Sequence, residues 1–121
     1  MCGIDIDIMR KFDFIEFRQD LLFRNTGLDR VLFEYEITRK QYEDLKDLMN
    51  NYEVLISKNE EVNHNQFEQD IYNIVIQQSG NTYFVESLVL EFYKQEMYKE
   101  VFTSLYAHMD KRKFRSSNFN K

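Results

Sequence analysis

Apolar residues recur at helical spacing along most of this sequence, and none of its 121 positions is a proline. Because proline is the strongest helix breaker, long helices are permitted throughout the chain. Residues 5–24 form the first predicted helix, whose recurring apolar positions are Ile8, Phe12, Ile15 and Leu22. Asn25 and Gly27 tolerate the left-handed conformation that ends helices, so they predict a stop before a short second helix over residues 28–35.

A third helix is predicted to begin after Thr38. A hydroxyl three residues ahead of Gln41 matches the capping box, in which two side chains bond backbone amides that the helix leaves unpaired. Its apolar stripe is close to a heptad seam and contains Tyr42, Leu45, Leu48, Met49, Tyr52, Leu55 and Ile56. Two heptads are fewer than an intermolecular coiled coil needs, so the stripe favours packing within the chain's own bundle.

Polar residues dominate positions 58–65, which predicts an exposed loop. A fourth helix is expected over residues 65–78, with Phe67, Ile71, Ile74 and Val75 buried, and it ends at the Ser-Gly-Asn of residues 79–81. Thr82 is the predicted cap of the fifth helix.

Residues 83–109 are the most apolar part of the chain and predict helices 5 and 6. Apolar residues cover more than half of the circumference of helix 5, so either it is central in the bundle or another chain closes its second face. We therefore consider both an ordinary core and a homodimer or partner interface. The interface hypothesis names ten residues: Phe84, Leu88, Phe92, Met97, Tyr98, Val101, Phe102, Leu105, Tyr106 and Met109.

The chain has 121 residues and a mass of 14.9 kDa, which fits one domain. We expect an all-α fold, a single compact bundle of five to six helices over residues 1–112, forming a homodimer. A basic tail over residues 113–121 lacks periodicity and is expected to fray. No segment is long and apolar enough to cross a membrane and no leader pattern is present, so a cytoplasmic location is expected.

The composition is rich in Phe, with 11 residues, and in Tyr, with 8, and Asn, Ile and Lys are abundant. This composition fits an A/T-biased genome such as that of a low-GC bacterium or its phage.

Charge is uneven along the chain. The net charge is −5, and residues 111–121 carry five cations and no acid. The remaining eleven cations against twenty-one acids give residues 1–110 a charge of −10. An acidic body repels a phosphate backbone, which argues against nucleic-acid binding.

No catalytic, cofactor-binding or metal-binding signature is found. Glu61 and His64 have a Glu-x-x-His spacing, but it occurs once and in the predicted loop, so a solvated pair is favoured. His108 has no second His or Cys nearby in the sequence that could bind a metal with it. The sequence also places no histidine beside Cys2 that could act as the base for a thiol nucleophile. The three glycines are isolated, which excludes a phosphate-binding loop. The sequence therefore predicts a protein that is not an enzyme.

Two segments resemble the YhaI-like family of small helical bacterial proteins of unknown function: residues 67–72 (FEQDIY) and residues 85–102 (VESLVLEFYKQEMYKEVF). The order of elements is similar over residues 12–110. The resemblance implies an all-helical, dimeric protein and supplies no catalytic residue. That family usually has a glycine where this chain has Glu96, so helices 5 and 6 are either separated by a left-handed turn or fused there.

The function expected from the sequence is a non-enzymatic helical protein–protein interaction module that self-associates through helices 5 and 6. The alternative is a phage- or prophage-encoded inhibitor that binds a host protein, which fits the acidic body and the biased composition. The partner in that case is a protein of unknown identity.

Overall fold

The computed structural model describes residues 6–106, and within that range the chain is all-α, with no strand. The six helices of this part of the chain are α1 (Ile6–Arg24), α2 (Gly27–Glu34), α3 (Arg39–Ser57), α4 (His64–Ile74), α5 (Thr82–Lys94) and α6 (Lys99–Leu105). One 3₁₀ turn, Ile76–Gln78, lies between α4 and α5. The predicted all-α class is confirmed. Cys2, His108, Met109 and the predicted tail, residues 113–121, lie outside the described residues.

Side chains immediately before each helix determine where α2 to α5 begin. Thr38 accepts a hydrogen bond from the Gln41 amide at 3.1 Å, and the Gln41 side chain accepts one from the Thr38 amide at 3.0 Å. This confirms the predicted capping box of α3. Thr26 caps α2 in the same way with Asp29, so α2 includes Gly27 and starts one residue earlier than predicted.

The cap of α5 is Asn81, and the prediction that Thr82 caps this helix is wrong. The Asn81 side chain accepts a hydrogen bond from the Phe84 amide at 3.2 Å, while Thr82 is the first helical residue. Asn63 caps α4 by accepting from the Gln66 amide at 2.9 Å, which shortens the predicted loop to residues 58–63. Asparagine and threonine are both good caps, so composition alone does not choose between neighbours.

Helix α4 ends at Ile74, four residues earlier than predicted. Val75 leaves the helical region with φ −111° and ψ 74°, and its side chain is fully buried. The Gln41 side chain of α3 donates to the Ile74 carbonyl at 3.3 Å and to Gln77 at 2.9 Å. Because a side chain 33 residues away satisfies the carbonyl that the break exposes, the interruption is stabilised by a tertiary contact.

Helix α5 lies at the centre of the bundle, packed against α2, α4 and α6. Phe84, Leu88 and Phe92 are completely buried. The Phe92 ring stacks on Tyr42 of α3 at 6.4 Å between centroids, and Tyr98 packs edge-on against Phe92 at 5.0 Å. Among the described residues, α5 therefore has the central position in the bundle that was one of the two alternatives from the sequence.

Helices α5 and α6 are separate, and Glu96 is at the turn between them in the left-handed region, with φ 62°. The Met97 amide donates to the Phe92 carbonyl at 2.8 Å and the Glu96 amide to the Tyr93 carbonyl at 2.9 Å. This 6→1 bond at a left-handed residue is the Schellman arrangement, which usually uses glycine. Glu96 adopts this conformation without glycine, and Tyr98, two residues further along, packs its ring on Phe92.

Replacing Glu96 by glycine tests this turn. The left-handed conformation costs a non-glycine residue about 1–2 kcal/mol, which glycine removes, while glycine gains entropy in the unfolded chain. We therefore expect Glu96→Gly to leave the free energy of unfolding unchanged or raise it by up to about 1 kcal/mol. Urea denaturation measures it.

The matched control for that change is Glu43→Gly, at an exposed position inside α3. It should lower the free energy of unfolding by about 1 kcal/mol, as glycine does in helix interiors. Equal losses in the two variants would contradict the left-handed turn.

Candidate interaction surface

Most of the residues proposed from the sequence as an interface lie in the chain's own core. Six of the ten are buried, and three are half-buried and packed against the core: the buried ones are Phe84, Leu88, Phe92, Val101, Leu105 and Tyr106, and the half-buried ones are Met97, Tyr98 and Phe102. Met109 lies outside the described residues. In this fold the six buried side chains are covered by other residues of the same chain.

Helix α1 carries the most extended run of exposed apolar side chains among the described residues. They are Ile6, Ile8, Met9, Phe12, Ile15, Leu22 and Phe23, each about half exposed or more, with Phe12 at 66% and Phe23 at 92%. We call the row Ile8, Phe12, Ile15, Gln19 and Leu22 the outer stripe. Its members are four or three residues apart, so they lie on one face of the helix.

The face of α1 that packs against the bundle is a different one. Phe17 and Leu21 are buried, at 3% and 1% exposed, and α1 packs mainly against α2 and α3. The positions that predicted this helix from the sequence are therefore the ones left in solvent. A helix that is apolar on two faces buries one of them and leaves the other for a different contact.

Two arginines fix the rotation of α1. The Arg18 guanidinium lies 3.7 Å from the centre of the Phe33 ring and donates to the Phe33 carbonyl at 3.0 Å. Arg39 of α3 donates to Asp13 at 3.0 Å and lies over the Phe17 ring at 5.1 Å. Planar guanidinium groups combine ring stacking with directed hydrogen bonds. The outer stripe therefore faces away from the bundle in a defined orientation.

An open cleft of about 490 Å³ lies at the amino-terminal end of α1, between this helix and the start of α3, on the side of α1 away from the outer stripe. Its lining residues are Ile6, Met9, Arg10, Asp13, Phe14, Thr38 and Lys40. Met9 belongs to both the cleft and the exposed face of α1.

A second group of polar side chains surrounds the end of α6. Tyr106 donates to Glu68 at 3.0 Å, and His64 Nε2 lies 3.2 Å from the same Glu68 oxygen. The His64 and Tyr106 rings meet edge-on, 4.7 Å apart. The sequence paired His64 with Glu61, which is exposed, and missed Glu68 one helical turn further along. The i, i+4 spacing of His64 and Glu68 was the signal that could have found this pair.

This group contains one hydrogen bond, from Tyr106 to Glu68, and among the described residues His64 Nε2 is buried without a hydrogen-bond partner. Burial, with the charge of Glu68 beside it, raises the pKa of Tyr106 above its ordinary value of 10.0. Within residues 6–106, no group of three or more His, Cys, Asp or Glu side chains could hold a metal ion. The hydrogen bond between Tyr106 and Glu68 links α4 to the end of α6.

No helix in the described range is both long and apolar enough to span a bilayer. Comparisons of the chain with protein-family models, with curated proteins and with solved structures found no match. The resemblance to the YhaI-like family therefore stays a prediction from the sequence.

Phe12 and Phe17 provide a matched pair for testing which face of α1 is packed. Phe17→Ala removes a buried ring and should lower the free energy of unfolding by about 3–5 kcal/mol. Phe12→Ala, made on the exposed face and measured at high dilution, should change it by no more than about 0.5 kcal/mol. Similar losses in both variants, measured by urea denaturation, would mean that the outer stripe is covered within one chain.

Alkaline pH tests the cluster around Tyr106. Because its pKa is raised in the folded state, folding favours the neutral phenol, and this contribution is complete below the unfolded-state pKa near 10.0. It is lost as the pH rises above that value. Tyr106→Phe should therefore reduce the decline in unfolding free energy above pH 10 by up to about 1.4 kcal/mol per pH unit. Urea denaturation across that range measures both slopes, and identical slopes would disprove the assignment.

Proposed function

We propose that this protein is a helical protein–protein interaction module whose docking surface is the exposed face of α1. The observation that carries the proposal is the outer stripe together with the flanking Met9 and Phe23, which places six apolar side chains of one helix in solvent. Exposed apolar patches of this extent, bordered by charges, mark interaction sites in soluble proteins.

The size of the exposed face supports this proposal. From the exposed fractions of its side chains, the face offers on the order of 800 Å², which matches one partner's share of a standard protein interface. Phe and Met, which are enriched at interfaces, supply Phe12, Phe23 and Met9. Leaving that area in water costs free energy that docking recovers.

The sequence placed self-association on helices 5 and 6, and the proposal moves it to α1. The side chains of α5 that would have made the contact are completely buried against α2, α4 and α6. Using them would require opening the core, whereas the α1 face needs no rearrangement.

A phage- or prophage-encoded inhibitor of a host protein remains the second candidate. The observation that favours it is the charge of −10 over residues 1–110, which suits a basic partner surface around an apolar contact. It would use the same face of α1, so the two candidates differ in the occupant of that face.

A photo-crosslinking amino acid placed at Phe12 or at Phe23 in expressing cells tests the proposal. We expect covalent adducts from both positions on irradiation, with masses that identify the partner. The matched controls are the exposed polar positions Asn50 of α3 and Asn73 of α4, which should give none. Adduct yields at Phe12 and Phe23 no higher than at the asparagines would overturn the proposed surface.

A further inference from the structure

We propose that the occupant of the outer stripe is α1 of a second copy of this chain, lying parallel to the first about a two-fold axis. This inference rests on the proposed function and specifies the partner and its direction. The two observations behind it are the heptad spacing of the exposed positions and the signs of the charges beside them.

The outer stripe has the spacing of a coiled-coil seam. In heptad notation Ile8, Ile15 and Leu22 take position d, and Phe12 and Gln19 take position a. These positions are exposed, while the opposite face of α1 is buried on Phe17 and Leu21. Two such helices can therefore interlock their a and d side chains without disturbing either bundle.

The charges that border the stripe select the parallel direction. Lys11 is at position g and Glu16 at position e, and both are exposed. In a parallel pair each g position faces the e position five residues further along the partner, so Lys11 faces Glu16 of the partner subunit, twice by symmetry. In an antiparallel pair g faces g and e faces e, which would bring Lys11 toward Arg18 or the two copies of Glu16 together. Like charges so placed oppose that arrangement.

Gln19 sets the register. A single polar residue at an a position pairs with its counterpart in the partner and disfavours staggered alignments, at a cost in stability. Gln19 is exposed in the described chain, so its amide is available for that pairing. The two Gln19 side chains would meet across the two-fold axis.

The expected affinity is modest. A seam of between two and three heptads is too short for an isolated coiled coil, but here each α1 is already folded and oriented by Arg18 and Arg39. Preorganisation removes the ordering cost, and a Kd on the order of 10 µM is the magnitude we expect from a contact of this size.

Charge reversal at the two bordering positions tests the parallel direction. Lys11→Glu alone and Glu16→Lys alone each place like charges across the parallel interface, so each purified variant should associate at least tenfold more weakly than the natural chain. An equimolar mixture of the two variants pairs opposite charges at both positions and should restore dimers. Sedimentation velocity measures all three samples, and circular dichroism confirms that each variant is folded.

An antiparallel dimer gives a different pattern in the same experiment. There Lys11→Glu would face Arg18 of the partner subunit and strengthen self-association, and mixing would bring no recovery. That result would overturn the parallel arrangement, as would a natural chain that stays monomeric at concentrations well above the expected Kd.

Disulfide trapping gives an independent readout of register. In a Cys2→Ser background, Gln19→Cys should form a symmetric disulfide-linked dimer under mild oxidation, because identical a positions face each other in a parallel pair. Asp20→Cys, one residue along on the same exposed helix, should remain monomeric. Equal cross-linking of both variants, or none, contradicts the inference. The protein could prove monomeric and yet form crosslinked adducts with another protein through residue 12 in cells. That result would refute this inference and leave the proposed function intact.

Discussion

Phe84, Leu88 and Phe92 of helix α5 are completely buried, and the arrangement of the other helices follows from the need to cover these side chains. Packing α2, α4 and α6 around this helix removes its large apolar surface from water, which is the dominant favourable contribution to folding. Those neighbours leave α1 at the periphery, where it packs mainly against α2 and α3. Because α5 occupies the centre of the bundle, α1 packs with one apolar face and leaves its other apolar face in solvent.

The start of α3 could be predicted from the sequence because its cap is a local contact. Thr38 and Gln41 are three residues apart, and their reciprocal hydrogen bonds need no other part of the chain. The end of α4 could not be read in this way, because the carbonyl of Ile74 is satisfied by Gln41 from another helix. The turn at Glu96 was also left open by the sequence, since a residue other than glycine is compatible both with a left-handed turn and with a continuous helix.

The candidate surface was the hardest feature to predict. Phe17 and Leu21 are four residues apart and Phe12 and Ile15 are three apart, and both spacings place the pair on one helical face. The sequence therefore shows two apolar faces on α1 and does not indicate which of them is buried. Contacts with α2 determine which face of α1 is buried, because Arg18 stacks on the Phe33 ring and donates to the Phe33 carbonyl. The sequence identified helices 5 and 6 as the most apolar segment, but strong hydrophobicity there reflects central burial.

Oxidative footprinting of side chains at low and high protein concentration would test the central claim most directly. The account predicts that Phe84 and Phe92 resist oxidation at both concentrations, while Met9, Phe12 and Phe23 are oxidised rapidly at high dilution and become protected as the concentration rises. Protection of the α1 residues at every dilution, or rapid oxidation of the α5 phenylalanines, would contradict it.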